Sequence, residues 1–308
     1  MTAAGRDGIP FVKMHGLGND YVFVDLLGPR RGGPEPAGEL PWDPAALSRE
    51  ISDRHLGVGS DGLILILPGE RAPFRMRMFN ADGSEGEMCG NGMRCFAKYV
   101  YEQGYTDEVE FEVETGAGVV RPRVYPEEGA GGRRVQRVRV DLGRPRLTPD
   151  EVPVRVEALA RWGRPADAPV VEATLEVDGR EVPVTAVSLG NPHCVVFVED
   201  AAAVDLEGLG RRLEVHPAFP QRTNVEFVQV LSPAEVAVRV WERGSGATLA
   251  CGTGACAAAV AGALTGRTGR QVTVRLPGGA LEVEWAADGH VYLTGPAVEV
   301  FRGVYAPR

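Results

Sequence analysis

Two cysteines carry the chemistry that this sequence offers. Cys89 and Cys251 each open a Cys-Gly-X-Gly turn, Cys89-Gly90-Asn91-Gly92 and Cys251-Gly252-Thr253-Gly254, and each turn runs into a segment of helical character. A thiol at a helix N-terminus sits in the positive end of the helix dipole, which favours the thiolate. The glycines beside it let backbone N–H groups converge on a small anion such as a carboxylate. Two such groups on opposite sides of one carbon can invert a stereocentre: one thiolate removes the α-proton and the other sulfur, held as a thiol, delivers a proton to the opposite face. A lone cysteine of this kind reads as an inert core thiol; two at matched positions read as function. Cys95, Cys194 and Cys256 read as packing residues.

The match extends beyond the two turns. Leu17-Gly18-Asn19 recurs as Leu189-Gly190-Asn191, and residues 79–92 align without a gap against residues 241–254. In each half a strand ends in an aromatic and a polar residue (Phe79-Asn80, Trp241-Glu242), a loop follows, and the cysteine stands nine residues after the polar one. The order is kept, with 70 and 60 residues separating each asparagine from its cysteine. This is an internal duplication. It predicts two pseudo-symmetric α/β halves that present equivalent cysteine turns across a cleft.

The elements that must position these turns are legible in part. Phe11 to Asp25 reads as strand, Gly-rich turn and strand; Pro44 to Arg54 as a helix; Leu63 to Leu67 and Arg75 to Asn80 as strands. The segment after Cys89 fits a helix ending at Gly104. Val109 to Val124 and Arg134 to Val140 read as strands joined by a turn at 127–132, and 28–44 as a surface loop. Leu142 to Asp150 is the expected linker. Beyond it strands are expected near 152–157, 170–177, 182–188, 194–200, 224–231, 235–241, 271–276, 280–285 and 290–294, with a helix at 203–213 and a last strand from Val298 to Phe301. The fold class is α+β.

Gly244 to Gly266 is uncharged over 23 residues. Its large aliphatics are only Leu249, Val260 and Leu264, so it reads as a Gly-rich loop entering a helix buried on every side rather than as a membrane span. The chain has 308 residues, 44% of them hydrophobic, and a formal charge of −9, which suits a globular protein and argues against a generic phosphate-backbone binder. Arginines cluster over 121–139, but Arg137-Val138-Arg139-Val140 alternates, which reads as the solvent face of a half-buried strand rather than a nucleic-acid surface. No secretory h-region is visible near the N-terminus, and a cytoplasmic protein with reduced thiols is expected. Lys13 and Lys98 are the only lysines, and neither stands in a phosphate-cradling context, so pyridoxal catalysis is not expected. Without it a carbanion needs stabilisation by backbone dipoles in a dry site.

The segments KMHGLGND (13–20), FNADGSEGEMCGNGMRCFA (79–97), SLGNPHCVVF (188–197), NVEFV (224–228), ERGSGATLACGTGACA (242–257) and LPGG (276–279) together resemble the diaminopimelate epimerase family across essentially the whole chain. The resemblance implies two lobes, each a rolled, mostly antiparallel sheet around a central helix: residues 1–141 joined by the returning strand 297–308, and 142–296, with the active site in the cleft between them. It implies epimerisation of LL-2,6-diaminopimelate to the meso isomer without pyridoxal phosphate, serving lysine and peptidoglycan synthesis. Cys89 and Cys251 match the proton donor and acceptor, with His193 and Glu242 assisting. Gly90-Asn91 and Gly252-Thr253 match the cradle of the reacting carboxylate. Asn19, Asn80, Asn191, Asn224, Glu242 and Arg243 match the groups that hold the ammonium groups and the distal carboxylate. Gly62 stands where some members have glutamine, leaving at most a backbone contact. No cofactor, metal, nucleic acid or membrane partner is implied; a homodimer is.

Each of these residues also has a plainer reading. Asn19 and Asn191 follow glycine and suit a left-handed turn; Glu242 and Arg243 suit a surface ion pair; His193 suits a hydrogen-bonded surface position. The nearest rival function is another cofactor-independent member of the same fold, a proline racemase-like enzyme, which typically has histidine where Asn91 stands. A cysteine hydrolase using Cys251 and His193 would leave Cys89 and the duplication unexplained, and a binding protein would need neither thiol. Gly57 to Gly62 fits a dinucleotide-binding pattern, but a helix precedes it and a strand follows, the wrong order for that fingerprint. The cysteine spacings do not suit zinc.

Overall fold

The computed structural model describes residues 8–28, 42–127, 133–165 and 167–307. They divide into two compact units, Met1–Val140 with Gly295–Arg308, and Asp141–Thr294.

The N-terminal unit opens with strands Ile9–Gly16 (β1) and Asn19–Asp25 (β2), joined by a turn in which Leu17 and Gly18 take φ of 59° and 90°. Helix Pro44–Ser52 (α1) follows, with Asp43 capping the amides of Ala45 and Ala46 and proline at the first helical position. Strands Gly62–Pro68 (β3), Phe74–Asn80 (β4) and Glu85–Gly86 (β5) lead into helix Gly90–Glu102 (α2), and Val113–Thr115 (β6), Gly118–Val120 (β7), Arg123–Pro126 (β8) and Val135–Asp141 (β9) complete the run. The C-terminal unit contains Ala173–Val177 (β10), Arg180–Ser188 (β11), Pro192–Phe197 (β12), helix Leu206–Glu214 (α3), Asn224–Ser232 (β13), Glu235–Glu242 (β14), Gly246–Thr248 (β15), helix Gly252–Leu264 (α4), Gln271–Leu276 (β16), Gly279–Trp285 (β17) and Val291–Pro296 (β18). The last strand, Val298–Tyr305 (β19), pairs antiparallel with β1.

Strand pairing repeats in the two units. β1 and β2 pair antiparallel, β2 and β3 parallel, β3 and β4 antiparallel; β4 then holds β5 antiparallel and β6 parallel, and β6 pairs β7 antiparallel. The same sequence of pairings runs β11–β12, β12–β13, β13–β14, β14–β15, β14–β16 and β16–β17. The crossover helices α1 and α3 occupy equivalent places, as do α2 and α4. The duplication read from the two cysteine turns is therefore a duplication of topology.

In each unit the sheet wraps the helix that begins at the cysteine turn. α2 packs on β1, β2 and β8, and residues 91–100 are all buried. Arg94 lies wholly inside, its guanidinium satisfied by Asn91 Oδ1 (2.8 Å), the Gly90 carbonyl and the Pro296 carbonyl (3.1 Å), which ties the helix start to the segment just before the last strand. α4 is packed by β11, β12, β13, β14, β16 and β17. Its small residues are what allow strands on every side: a Cβ added at Gly262 would run into Thr268. Among the described residues no helix is long and apolar enough to cross a membrane.

Several expectations differ from the fold. Residues 109–124 form three short strands rather than one, because the Gly116–Gly118 hairpin and Pro122 interrupt the run. Residues 152–157 are turn and 3-10 helix: flanking prolines and the bonds from the Val152 and Val154 amides to Thr148 and Pro149 close turns instead. The expected linker 142–150 is fastened to the C-terminal unit, with Arg146 and Ser188 exchanging both backbone bonds at 2.9 Å. The short strands β5 and β15 were not anticipated. Most of the expected loop at 28–44 and turn at 127–132 lies outside the described residues.

Gly62 opens β3 against the backbone of β4. A Cβ there would run into the Phe79 carbonyl and stand 3.1 Å from the Tyr21 ring. Gly62→Ala is therefore expected to destabilise the chain by about 1–3 kcal/mol, read as a lowered urea midpoint with an unchanged slope.

Candidate active site

In the N-terminal unit the Cys89 backbone is extended (φ −133°, ψ 121°) and the residue is the N-cap of α2. Its Sγ accepts from the Gly92 amide at 3.4 Å, where Ser or Asp would use an oxygen. With its proton on, the thiol donates to Asn19 Oδ1 at 3.5 Å. The same oxygen accepts from Asn91 Nδ2 at 3.1 Å, and Asn91 in turn accepts from Arg94. Asn19 is aimed from behind: its amide donates to Asp61 Oδ2 at 2.8 Å, and Asp61 also takes the Asp20 amide (3.0 Å) and Arg54 (2.8 Å). Asp20 bridges Lys13 at 2.5 Å and Arg54 at 2.9 Å. Burial works against the Asp20 charge, but these two cations outweigh it and hold the carboxyl below its ordinary range. The Tyr21 hydroxyl lies 3.6 Å from Cys89 Sγ and donates to it.

In the C-terminal unit Cys251 repeats the cap (φ −123°, ψ 116°), with its Sγ accepting from the Gly254 amide at 3.4 Å and lying 3.5 Å from Thr253 Oγ1. The surroundings differ. His193 is fully buried, with Nδ1 hydrogen-bonded to Glu226 Oε1 at 2.7 Å and Nε2 to Asn191 Oδ1 at 3.0 Å. Glu226 is also fully buried, and its Oε2 has no hydrogen-bond partner among the described residues. A Cβ at Gly254 would stand 2.6 Å from Glu226 Oε1, so glycine there admits the carboxylate beneath the turn. Glu242 accepts from Thr248 at 2.6 Å. Desolvation raises the Glu242 pKa, and the hydrogen bond from Thr248 only partly opposes it. Burial first, and then the charges of Glu242 and Glu226, push the Cys251 thiol well above the ordinary thiol range.

The remaining sequence candidates fall on the same two groups of elements. Asn80 ends β4 exposed, donating to Ser84 Oγ at 2.9 Å, and lies opposite Gly62 in the ladder. Asn224 starts β13 buried; its amide donates to the Pro192 carbonyl and its oxygen takes the Arg243 amide, both at 3.0 Å. Arg243 is exposed and donates to the Gln221 carbonyl at 3.1 Å, and it forms no ion pair with Glu242 among the described residues. Asn19 and Asn191 are not the left-handed residues of their turns; Leu17, Gly18 and Gly190 are. His193 is not a surface histidine. The plainer readings therefore fail for these residues. Gly62 supplies room, as described above.

Four residues escaped the sequence reading. Asp61 aims Asn19, Tyr21 reaches Cys89, and Glu226 holds His193. Glu214 takes the Trp241 indole at 2.7 Å and the Gly244 amide at 3.0 Å, fixing the turn that carries Arg243. Only Glu226 left a usable signal, a carboxylate inside the apolar run Val225 to Val228.

The family profile of diaminopimelate epimerase matches residues 11–148 and 185–300. A diaminopimelate epimerase from Desulforudis audaxviator is 56% identical over 95% of this chain and 98% of its own length, and one from Moorella thermoacetica is 53% identical with the same coverage. Among solved structures, a phenazine-biosynthesis protein from Bacillus anthracis aligns with a TM-score of 0.65 at 16% identity, covering 96% of this chain and 98% of that one. A hydroxyproline epimerase from Agrobacterium vitis aligns with a TM-score of 0.60 at 17% identity, covering 97% and 93%; both share the fold. With a duplicated pairing order, two cysteine-capped helices and relatives matched along nearly its full length, this chain belongs to the diaminopimelate epimerase family.

Proposed function

We propose that the chain interconverts LL- and meso-2,6-diaminopimelate by a two-base transfer at one α-carbon, with Cys89 and Cys251 as the bases. The observation that carries this reading is the equivalence of the two thiols: each caps a helix through the amide three residues on, in units of the same topology. Cys251, raised by burial and flanked by Glu242, is in the thiol form needed to deliver a proton, which leaves Cys89 to remove one in that direction. The reacting carboxylate is held by the cradles Gly90-Asn91 and Gly252-Thr253, whose helix starts favour negative charge and stabilise the carbanion formed beside it. His193 and Glu242 assist Cys251. Asn19, Asn80, Asn191, Asn224 and Glu242 receive the ammonium groups, and the exposed guanidinium of Arg243 the distal carboxylate. That distal anchor favours a dicarboxylic substrate over proline.

The same reading places the enzyme in the cytoplasm and makes it a homodimer. The dimer is supported by β19, the edge strand of the N-terminal sheet, which leaves Val300, Phe301 and Val304 exposed beside unpaired backbone. Val304→Asp is expected to shift the sedimenting species from dimer to monomer; an unchanged distribution counts against this edge.

Cys89→Ala and Cys251→Ala should each lower kcat/KM by at least about a thousandfold, with the fold and carboxylate binding retained. Appreciable residual turnover in either variant would exclude two-base chemistry. In deuterated solvent each direction should label mainly the newly formed epimer, and label carried through one shared base would contradict the assignment. Incubation with diaminopimelate, a mono-carboxylic analogue and proline should show exchange with the first alone. Without substrate at neutral pH, iodoacetamide should modify the partly exposed Cys89 well before the buried Cys251, with Cys251 gaining reactivity as pH rises; the reverse order would overturn the thiol form assigned to Cys251.

A further inference from the structure

Tyr21 occupies a position whose counterpart in the other unit is His193. Each stands two residues after the repeated asparagine, Asn19 or Asn191, and each faces the first residue of the next, parallel strand: Tyr21 opposite Gly62, His193 opposite Asn224. The duplication thus puts an imidazole at this place in one unit and a phenol in the other. The phenol is buried, 5% exposed, and its hydroxyl points at Cys89 Sγ from 3.6 Å. Room for the ring comes from Gly62, since any side chain there would begin 3.1 Å from Tyr21 Cε1.

A phenol in this place has one available role. Burial, and then the neighbouring Cys89 and Asp61, raise its pKa well above that of free tyrosine, so it stays protonated and acts only as a donor. A donor strengthens when its acceptor becomes charged. The O–H therefore favours the Cys89 thiolate over the thiol. When Cys89 takes the substrate's α-proton, that proton bonds to sulfur and the phenol keeps its own. The charged groups behind Asn19 and Asn91 have partners of their own. Asp61 is shared by Arg54 and Asn19, Lys13 is paired with Asp20, and the Arg94 guanidinium holds Asn91. Cys95, pushed by burial to about 12, stays a neutral thiol.

We propose that Tyr21 is a catalytic hydrogen-bond donor of the epimerisation, its buried hydroxyl stabilising the charge that Cys89 carries when it acts as the base. This rests on the two-thiol reading above. The test is Tyr21→Phe, which keeps the ring and removes only the hydroxyl, with melting temperature as the check on folding. Two profiles are measured: Cys89 alkylation by iodoacetamide against pH without substrate, mapped by mass spectrometry, and kcat/KM for diaminopimelate against pH. The alkylation midpoint and the acidic limb of kcat/KM are both expected to move up by about one pH unit, with kcat/KM near neutrality falling about tenfold. Unchanged midpoints with kcat/KM within about twofold of the unsubstituted enzyme would overturn the proposal, because a purely packing role leaves both profiles in place. Failure of the unsubstituted enzyme to turn over diaminopimelate would overturn the proposed reaction and with it the catalytic role; substrate-free alkylation reads the Tyr21–Cys89 bond separately.

Discussion

The structure depends on a sulfur doing what an oxygen usually does at the start of a helix. Cys89 and Cys251 accept the amide of Gly92 and Gly254 at the same 3.4 Å, from the same extended backbone. Capping fixes each sulfur relative to the helix axis, exposes it to the positive end of the dipole and leaves the next amides free for an anion. An ordinary cap oxygen would hold the helix equally well and could not exchange protons near neutral pH. The fold is arranged to keep that one geometry: a helix start needs a helix, and each helix is locked by the sheet wrapped around it.

The two caps have the same geometry and different surroundings. Around Cys89 the neighbours are donors and neutral amides: Gly92, Asn19, Asn91 and a protonated phenol. Around Cys251 the Gly254 amide and the Thr253 hydroxyl are joined by the carboxylates of Glu242 and Glu226, whose charges add to the larger effect of burial. A helix terminus is worth about 0.3–1 kcal/mol at the surface and up to ~2 kcal/mol in partly buried geometries. Desolvation of a fully buried charge reaches several pKa units, so at Cys251 it wins over the dipole. A two-base reaction needs this asymmetry, because two thiolates or two thiols in the same resting enzyme would leave no donor or no acceptor. Duplication supplied equal geometry, and divergence of the side chains packed behind each cysteine turn supplied the difference.

Much of this was readable from residue order and some was not. The duplication, the caps and the strands around them follow from glycine placement and from alternation, both local properties of the chain. Asn19 and Asn191 were found because they sit at the same place in a repeat. Asp61 was not found: its work is done 42 residues from Asn19, through a parallel pairing of β2 with β3 that local pattern does not specify. Glu214 escaped for the same reason, lying on a helix whose sequence gives no hint that its last turn will meet Trp241. Residues 152–157 misled because valines alternating with other residues look like a strand, and only the turn bonds back to Thr148 and Pro149 decide otherwise.

Glycine replaces side chains at the places where the two units must differ. Gly254 admits the Glu226 carboxylate under the Cys251 turn, whereas at Gly92 the corresponding space is taken by Ile64. One unit thus buries a charge against its cysteine turn and the other buries a methyl group. A Cβ at Gly254 would have to displace a fully buried carboxylate that is hydrogen-bonded to His193, which is costlier than shifting an aliphatic tip. Substitution at these equivalent glycines therefore acts on different quantities. At Gly92 it disturbs packing; at Gly254 it disturbs one of the two carboxylates that add to burial in raising Cys251. The repeat leaves the backbone alike and places the chemistry in what each glycine lets approach.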